Sequence, residues 1–293
     1  MRKDKRVFAL GFFDGVHMGH QALLRECATL AKALDCASAA ITFDRHPKSL
    51  FTAHTPPLLS TIETRTTLLK QYGMDDVYRL PVVEAVMSMP WRAFLKELLE
   101  LGAVGFVCGH DFRFGNRGDG NAEKLQALCR ELDLPCVIVP EQTVDGQRVS
   151  STLIRGLIEN GRMAEAVRYL GHPHIISGTV VPGKQLGRTL GIPTANLVLE
   201  DGQAVPCFGV YACRCLIDGA SYAAVTNVGT RPTVRGVGVT VEPWILDFNG
   251  DLYGREITLE FHEFLRKETK FADLSALQEQ IRKDAEKTRV FFQ

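Results

Sequence analysis

Two histidines three residues apart, in Gly11-Phe12-Phe13-Asp14-Gly15-Val16-His17-Met18-Gly19-His20, sit between a short apolar run and an amphipathic one. A strand that hands over to a helix presents backbone N–H groups to an anion, and imidazole donors at that helix start would meet phosphate oxygens. The segment is neither GxxxxGK(S/T) nor GxGxxG, so its cradle differs from a P-loop or a dinucleotide turn. It suits attack on the α-phosphate of ATP with pyrophosphate leaving, the imidazoles stabilising charge on the equatorial and leaving oxygens. Gly19 would keep the backbone low beneath the rings. By spacing alone the pair reads equally as a helix cap and a surface histidine; its position after the first strand favours phosphate.

A second group, Val149-Ser150-Ser151-Thr152-Leu153-Ile154-Arg155, opens a later helix with hydroxyls and sets a guanidinium one turn in. Alone it is an N-cap; paired with HxGH it becomes a phosphate clamp. The segment Gly109–Gly120 is rich in Gly and Arg and reads as a solvated loop, with Arg113 and Arg117 as cations for a ligand phosphate. Further on, Gly178 to Asn196 combines a glycine-rich loop (Gly183, Gly187, Gly191) with Lys184 and Arg188, able to close over phosphates. It ends in Pro193-Thr194-Ala195-Asn196. Thr194 and Asn196, two residues apart on an extended segment, point the same way and offer a hydroxyl and an amide oxygen, hard ligands suited to Mg2+. Phosphoryl transfer also needs a carboxylate to orient and deprotonate the acceptor hydroxyl, and Glu242 in Val-Glu-Pro-Trp-Ile-Leu-Asp-Phe is the candidate. Pro243 directly after it removes a backbone donor and biases Glu242 toward extended geometry.

The elements that must carry these groups change character along the chain. In the first half, Val7–Leu10, Ala39–Phe43, Val77–Leu80, Val104–Cys108 and Cys136–Val139 read as buried strands alternating with amphipathic segments. Gly19–Leu34 is one such segment, and Ser60 with Glu63 resembles a capping box before another. This alternation predicts an α/β, doubly wound, Rossmann-like domain. Helices over Thr152–Glu159 and Met163–Leu170 end at Gly171-His-Pro-His, which places a boundary between domains 1–171 and 172–293. Beyond it, Ile175–Val181, Gly209–Ile217, Ala223–Val228, Val239–Phe248 and Glu256–Phe264 are β-rich runs separated by Gly and Pro, followed by an amphipathic Leu274–Val290. They predict a small antiparallel β-barrel with a C-terminal helix.

The chain has 293 residues, enough for two domains of roughly 100–200 residues each. With 34 basic and 34 acidic residues it lacks the positive balance of a nonspecific nucleic-acid binder. No apolar run reaches the ~18 residues of a membrane span, so neither nucleic acid nor membrane is expected as a partner. Eight scattered cysteines form no CxxC pair and no zinc spacing, and Cys213 with Cys215 should share one strand face without functional consequence; free thiols point to the cytoplasm.

GFFDGVHMGH, TFDRHP, GHDFRFG and VSSTLIR, in this order, resemble the adenylyltransferase half of the bacterial bifunctional riboflavin kinase/FAD synthetases. LGRTLGIPTAN, GVYA, NVGTRPT, VEPWILDF with DLYG, and FLRKETKF resemble the riboflavin kinase half. The resemblance covers essentially the whole chain and implies an HxGH nucleotidyltransferase domain followed by a kinase barrel. It implies phosphorylation of riboflavin to FMN, then adenylylation of FMN to FAD, with Mg2+ and one ATP at each of two sites, and ADP and pyrophosphate as products. Carried over residue by residue, Gly11, Phe12, Asp14, Gly15, His17, Gly19, His20, Ser150, Ser151, Thr152 and Arg155 would bind ATP in the first domain, with His46, Asp111, Phe112, Arg113 and Phe114 near the flavin. In the second, Gly183, Gly187 and Arg188 would bind ATP, Thr194 and Asn196 Mg2+, and Glu242 would be the base. Asn227, Thr230, Arg231, Pro232 and Arg266 would lie near the flavin, with the phosphates as an alternative for Arg266. Arg45 departs from the family, which commonly carries proline there. Rival readings are an adenylyltransferase whose barrel only binds flavin, a flavin-sensing or storage module, and another HxGH nucleotidyltransferase acting on nicotinamide mononucleotide or pantetheine phosphate; the last leaves PTAN without a purpose.

Overall fold

The computed structural model describes residues 2–183, 191–233 and 236–293. It comprises two compact units, Met1–Ser151 and Thr152–Gln293.

The first unit opens with β1 (Arg2–Leu10), whose Val7, Phe8, Ala9 and Leu10 are all at most 1% exposed. Burial on both faces explains why this strand reads as a continuous apolar run without alternation. α1 (Met18–Ala33) covers one face, with Leu23, Leu24 and Cys27 turned inward. The opposite face belongs to a cluster in which Phe8, Leu10, Ile41, Leu95, Phe106 and Leu125 pack together. Truncating Phe8 there would cost about 3–5 kcal/mol.

Along the chain follow β2 (Cys36–Phe43), α2 (Ile62–Gln71), β3 (Asp76–Leu80), the short α3 (Glu84–Met87), α4 (Trp91–Glu100) and β4 (Ala103–Gly109). A two-residue ribbon of β5 (Arg113–Phe114) and β6 (Gly120–Asn121) leads to α5 (Ala122–Glu131) and β7 (Cys136–Val139). A second ribbon, β8 (Thr143–Val144) and β9 (Gln147–Arg148), precedes α6 (Ser151–Glu159) and α7 (Met163–Leu170). The five long strands pair parallel in the order β3-β2-β1-β4-β7. Strand order reverses between β1 and β4, and the crevice beyond their carboxyl ends is where such a sheet binds ligands. The expected Rossmann-like architecture is present.

One expectation about α2 is corrected. Its cap is Thr61, whose hydroxyl accepts from the Thr64 N–H at 3.2 Å, not Ser60. The Ser60 hydroxyl turns instead to the loop after β1, where it accepts from the Gly15 N–H at 3.0 Å.

In the second unit α7 packs on β10 (His174–Val181) and β15 (Glu256–Arg266). With β11 (Asn196–Leu199), β12 (Gly209–Ile217), β13 (Ala220–Thr233) and β14 (Gly236–Ile245) these form a closed antiparallel barrel in the order β10-β11-β14-β13-β12-β15. Closure removes the exposed edges an open sheet would present. β11 was not anticipated as a strand, since only four residues of it pair. α8 (Leu274–Phe292) lies against β12 and β13.

Pro243 sits inside β14 opposite Thr226, and its carbonyl accepts from the Ala195 N–H at 2.9 Å. In an extended strand N–H and C=O of one residue point the same way, so the missing donor falls on the β11 side. There β14 pairs only through Leu197 and Val241, and the ladder to β13 loses nothing.

Candidate active sites

The turn from β1 to α1 carries the HxGH group and is unusual in its backbone. Phe13, Gly15 and Val16 all have positive φ, at 57°, 76° and 40°. A β-branched residue rarely adopts that region, and Phe13 and Val16 are completely buried, so packing holds the loop there. His17 caps α1, its Nδ1 accepting from the His20 N–H at 3.3 Å, which puts the ring proton on Nε2. The His17 and His20 rings stack at 3.6 Å and 13°. Gly19 lies under His17: a Cβ would stand 3.2 Å from its ring. The cap reading and the phosphate reading of His17 are thus compatible, and His20 is not a surface histidine. Burial first, then electrostatic interaction with the His17 ring and the Arg65 charge, hold its basicity well below the usual histidine value.

A cavity of about 400 Å3 opens at the reversal of strand order. Gly11, Phe12 and His20 line it from the first strand-helix turn, and Asp111, Phe112, Arg113 and Phe114 from the loop after β4. Apolar walls come from Ile41, Val86, Met87 and Phe94, none singled out by sequence because they are scattered through three elements. Phe112 and Phe114 stack at 5.3 Å. The Asp111 carboxylate pairs with Arg148 at 2.6 Å, anchoring the β8–β9 ribbon to this loop. His46 accepts from the Lys48 N–H at 3.1 Å and meets Phe12 edge-on at 5.3 Å. Arg45 is exposed beside Asp44 at 3.8 Å and does not line this cavity.

Asp14 is 1% exposed and turned away from the cavity toward Arg65 Nη2, 3.7 Å away, and the Ser60 N–H, 3.2 Å away. Its carboxylate therefore acts on the loop. Ser151 at the start of α6 donates to the Asp14 carbonyl at 3.1 Å, tying the Ser-Ser-Thr segment to the same turn; Thr152 and Arg155 follow on that helix.

In the barrel unit two cavities share Thr194 among the described residues. A small one, about 100 Å3, is lined by Gly183, Thr194, Asn196, Asp251 and Tyr253. The other, about 400 Å3, is lined by Thr194, Asn227, Glu242, Trp244, Arg266 and Glu268, among others. Glu242 and Asn227 face each other across β14 and β13, and Asn227 Nδ2 donates to Glu268 at 3.2 Å. Arg266 makes a two-pronged contact with Asp284 of α8, both at 2.8 Å, and lies over Phe271 at 5.6 Å. Thr230 is exposed and does not line this cavity, while Gly187 and Arg188 lie outside the described residues and only the backbone of Arg231 and Pro232 is described. Glu268, Phe271 and Asp284 escaped sequence reasoning because they become neighbours of Glu242 only when the barrel closes.

A nucleotide turn in one unit and a hydroxyl-amide-carboxylate set in the other match what comparison with known proteins finds. The family model for FAD synthetase matches residues 1–153 and that for riboflavin kinase residues 170–292. A bifunctional riboflavin kinase/FMN adenylyltransferase of Listeria monocytogenes is 33% identical over 293 residues, covering 98% of this chain and 92% of its own. The chain belongs to the bifunctional riboflavin kinase/FMN adenylyltransferase family. Its counterparts in Pseudomonas fluorescens and Escherichia coli K12 are 37% and 36% identical, covering 97% and 98% of this chain and 92% of their own. A crystal structure described as a macrolide-efflux protein from Streptococcus pneumoniae superposes with a TM-score of 0.88 at 33% identity, covering 99% of this chain and 95% of that one. Among the described residues no helix is long and apolar enough to cross a membrane. As a member of this family the protein phosphorylates riboflavin to FMN with ATP and adenylylates FMN with ATP to FAD and pyrophosphate.

Proposed function

We propose that the kinase reaction runs where the two barrel cavities meet at Thr194, and adenylyl transfer runs at the HxGH turn. Thr194 on both walls is the observation that carries the kinase reading: a phosphoryl donor in the smaller cavity and an acceptor hydroxyl in the larger one would meet there. Glu242 then accepts the proton of the ribityl hydroxyl, while Asn227, Arg266 and the segment Thr230-Arg231-Pro232 border the flavin. Gly183, Gly187 and Arg188 close over the ATP phosphates. The Thr194 hydroxyl and Asn196 amide oxygen suit Mg2+, with phosphate oxygens and water completing its shell; bound there, the ion would neutralise charge on the phosphates.

In the adenylyltransferase, His17 and His20 hold the ATP phosphates above the N-terminus of α1, assisted by Gly11, Phe12, Gly15 and Gly19. Ser150, Ser151, Thr152 and Arg155 close on them. Asp14 serves through the loop rather than by touching ligand. His46, Asp111, Phe112, Arg113 and Phe114 border the flavin, and the apolar walls of the cavity suit its ring. The catalytic domains are assigned to 1–171 and 172–293, although residues 152–171, with α7, cluster with the barrel unit; the eight free cysteines support a cytoplasmic location.

Separating the flavins formed from riboflavin or FMN with ATP and magnesium tests these assignments. Glu242→Gln should lower FMN formation by about 10²–10⁴ and leave FMN adenylylation intact; His20→Ala should show the reverse. Equal loss of both activities in either variant would refute the two-site reading.

A further inference from the structure

We infer that Arg65 is a positioning residue for adenylyl transfer: it fixes the strained Phe12–Val16 turn that presents His17 and His20. The side chain is completely buried, yet it lies 45 or more residues from the HxGH group in sequence and belongs to a different helix, α2.

The guanidinium donors hold Ser60, just before α2, and the end of β2, and both of these grip the turn. Nε donates to the Ser60 hydroxyl at 3.3 Å and Nη2 to the Ser60 carbonyl at 3.0 Å, with the Asp14 carboxylate at 3.7 Å. Nη1 donates to the Phe43 carbonyl at 3.0 Å and the Thr42 hydroxyl at 3.3 Å. Thr42 passes its own proton to the Phe12 carbonyl at 2.7 Å. The guanidinium plane covers the Phe12 ring at 4.4 Å. Ser60 completes the set, accepting from the Gly15 N–H and donating to Asp14 Oδ1 at 3.4 Å while its amide N–H donates to the same oxygen. Arg65 thus reaches Phe12, Asp14 and Gly15 directly or through one hydroxyl. These residues flank or include the positive-φ positions that an unsupported chain would abandon. A planar five-donor fork is required; an ammonium could supply the charge but not these directions.

The same cation bears on His20. The charged and titratable groups facing that ring are His17 from the α1 cap, Arg65 from α2 with Asp14 behind it, and Asp111 and Arg113 lining the same cavity from the loop after β4. His20 Nδ1 is sealed from solvent and has no hydrogen-bond partner among the described residues, so a second proton there would be unsupported. Arg65 holds the turn and, by its charge, disfavours imidazolium at position 20.

The inference rests on His20 acting at the ATP phosphates, and the experiment separates the two. Full-length Arg65→Met, Arg65→Lys and His20→Ala proteins are assayed for FMN adenylylation and riboflavin phosphorylation, FMN binding is followed by flavin fluorescence, and the His20 ring is titrated by NMR. Arg65→Met should lower the adenylylation kcat about a hundredfold, the scale of a 1 Å misplacement, with FMN affinity and kinase rate unchanged. Its His20 should titrate at higher pH than in the unaltered protein. Arg65→Lys should keep the His20 midpoint near the original value while recovering only part of kcat. Loss of FMN binding alongside kcat in both Arg65 variants would make Arg65 a fold-stabilising residue only and overturn the proposal. So would an unchanged kcat, or an unchanged His20 midpoint, in Arg65→Met. Full adenylylation by His20→Ala would instead overturn the underlying assignment of the histidine.

Discussion

Gly183 lies so close to the Asn196 amide that a Cβ at that position would collide with it. The contact sits on the wall of the smaller barrel cavity, so displacing Asn196 moves an oxygen proposed to hold the Mg2+ that accompanies ATP. Gly183→Ala should cost about 1–3 kcal/mol through overpacking, read as a rise of about five- to 150-fold in the kinase KM for ATP, with adenylylation unaffected. At this scale the legible residues were those whose partners are near in sequence: His17 and His20, or Thr194 and Asn196. Spacing of two or three residues fixes their mutual orientation before any tertiary contact forms. Ser60 was misread as a cap because its neighbour Thr61 offers the same chemistry one residue later, and only the packing of α2 against the β1–α1 turn frees the Ser60 hydroxyl for Gly15.

Helices and strands add constraints that single residues do not carry. α8 is joined to the barrel by Asp284, which is 1% exposed and accepts from Arg266 and, at 2.9 Å, from Gln280. Asp284→Ala would leave Arg266 without its carboxylate. The expected destabilisation is about 3 kcal/mol, the low end for a broken buried pair because Arg266 is part-exposed. Urea unfolding of the barrel unit measures it, and the KM for riboflavin should rise because Arg266 lines the cavity of Glu242. At the start of β10, His174 donates from Nε2 to the Ala204 carbonyl at 3.0 Å, and burial lowers its pKa to about 4. Below the ordinary value near 6.5 the unfolded chain binds a proton the folded one refuses, so stability falls as pH drops toward 4, by about 1.4 kcal/mol per pH unit. His174→Gln, which keeps an N–H for Ala204, should flatten that slope in urea unfolding between pH 6.5 and 4.

For the molecule as a whole, the cavity at the HxGH turn and the two in the barrel have no lining residue in common among those described. FMN released by one protein should therefore serve another. A mixture of His20→Ala and Glu242→Gln proteins, each unable to convert riboflavin to FAD alone, should do so together; failure of the mixture would show that FMN does not pass between molecules. The alternation of apolar β runs with amphipathic helices determined the parallel sheet, and short β runs punctuated by Gly and Pro determined the barrel. Both patterns are local, because a strand or helix buries a face whose period is written in its own residues. Sequence likewise supplied the ordered motifs that mark the family. Tertiary structure alone decided that Asp14 turns inward, that Pro243 costs β14 no bond to β13, that Thr194 borders two cavities, and that Arg65 reaches across from α2 to the histidine turn. Each of these depends on residues tens of positions apart meeting in a closed barrel or at a sheet edge, and the separation along the chain does not encode which of the many possible meetings will occur.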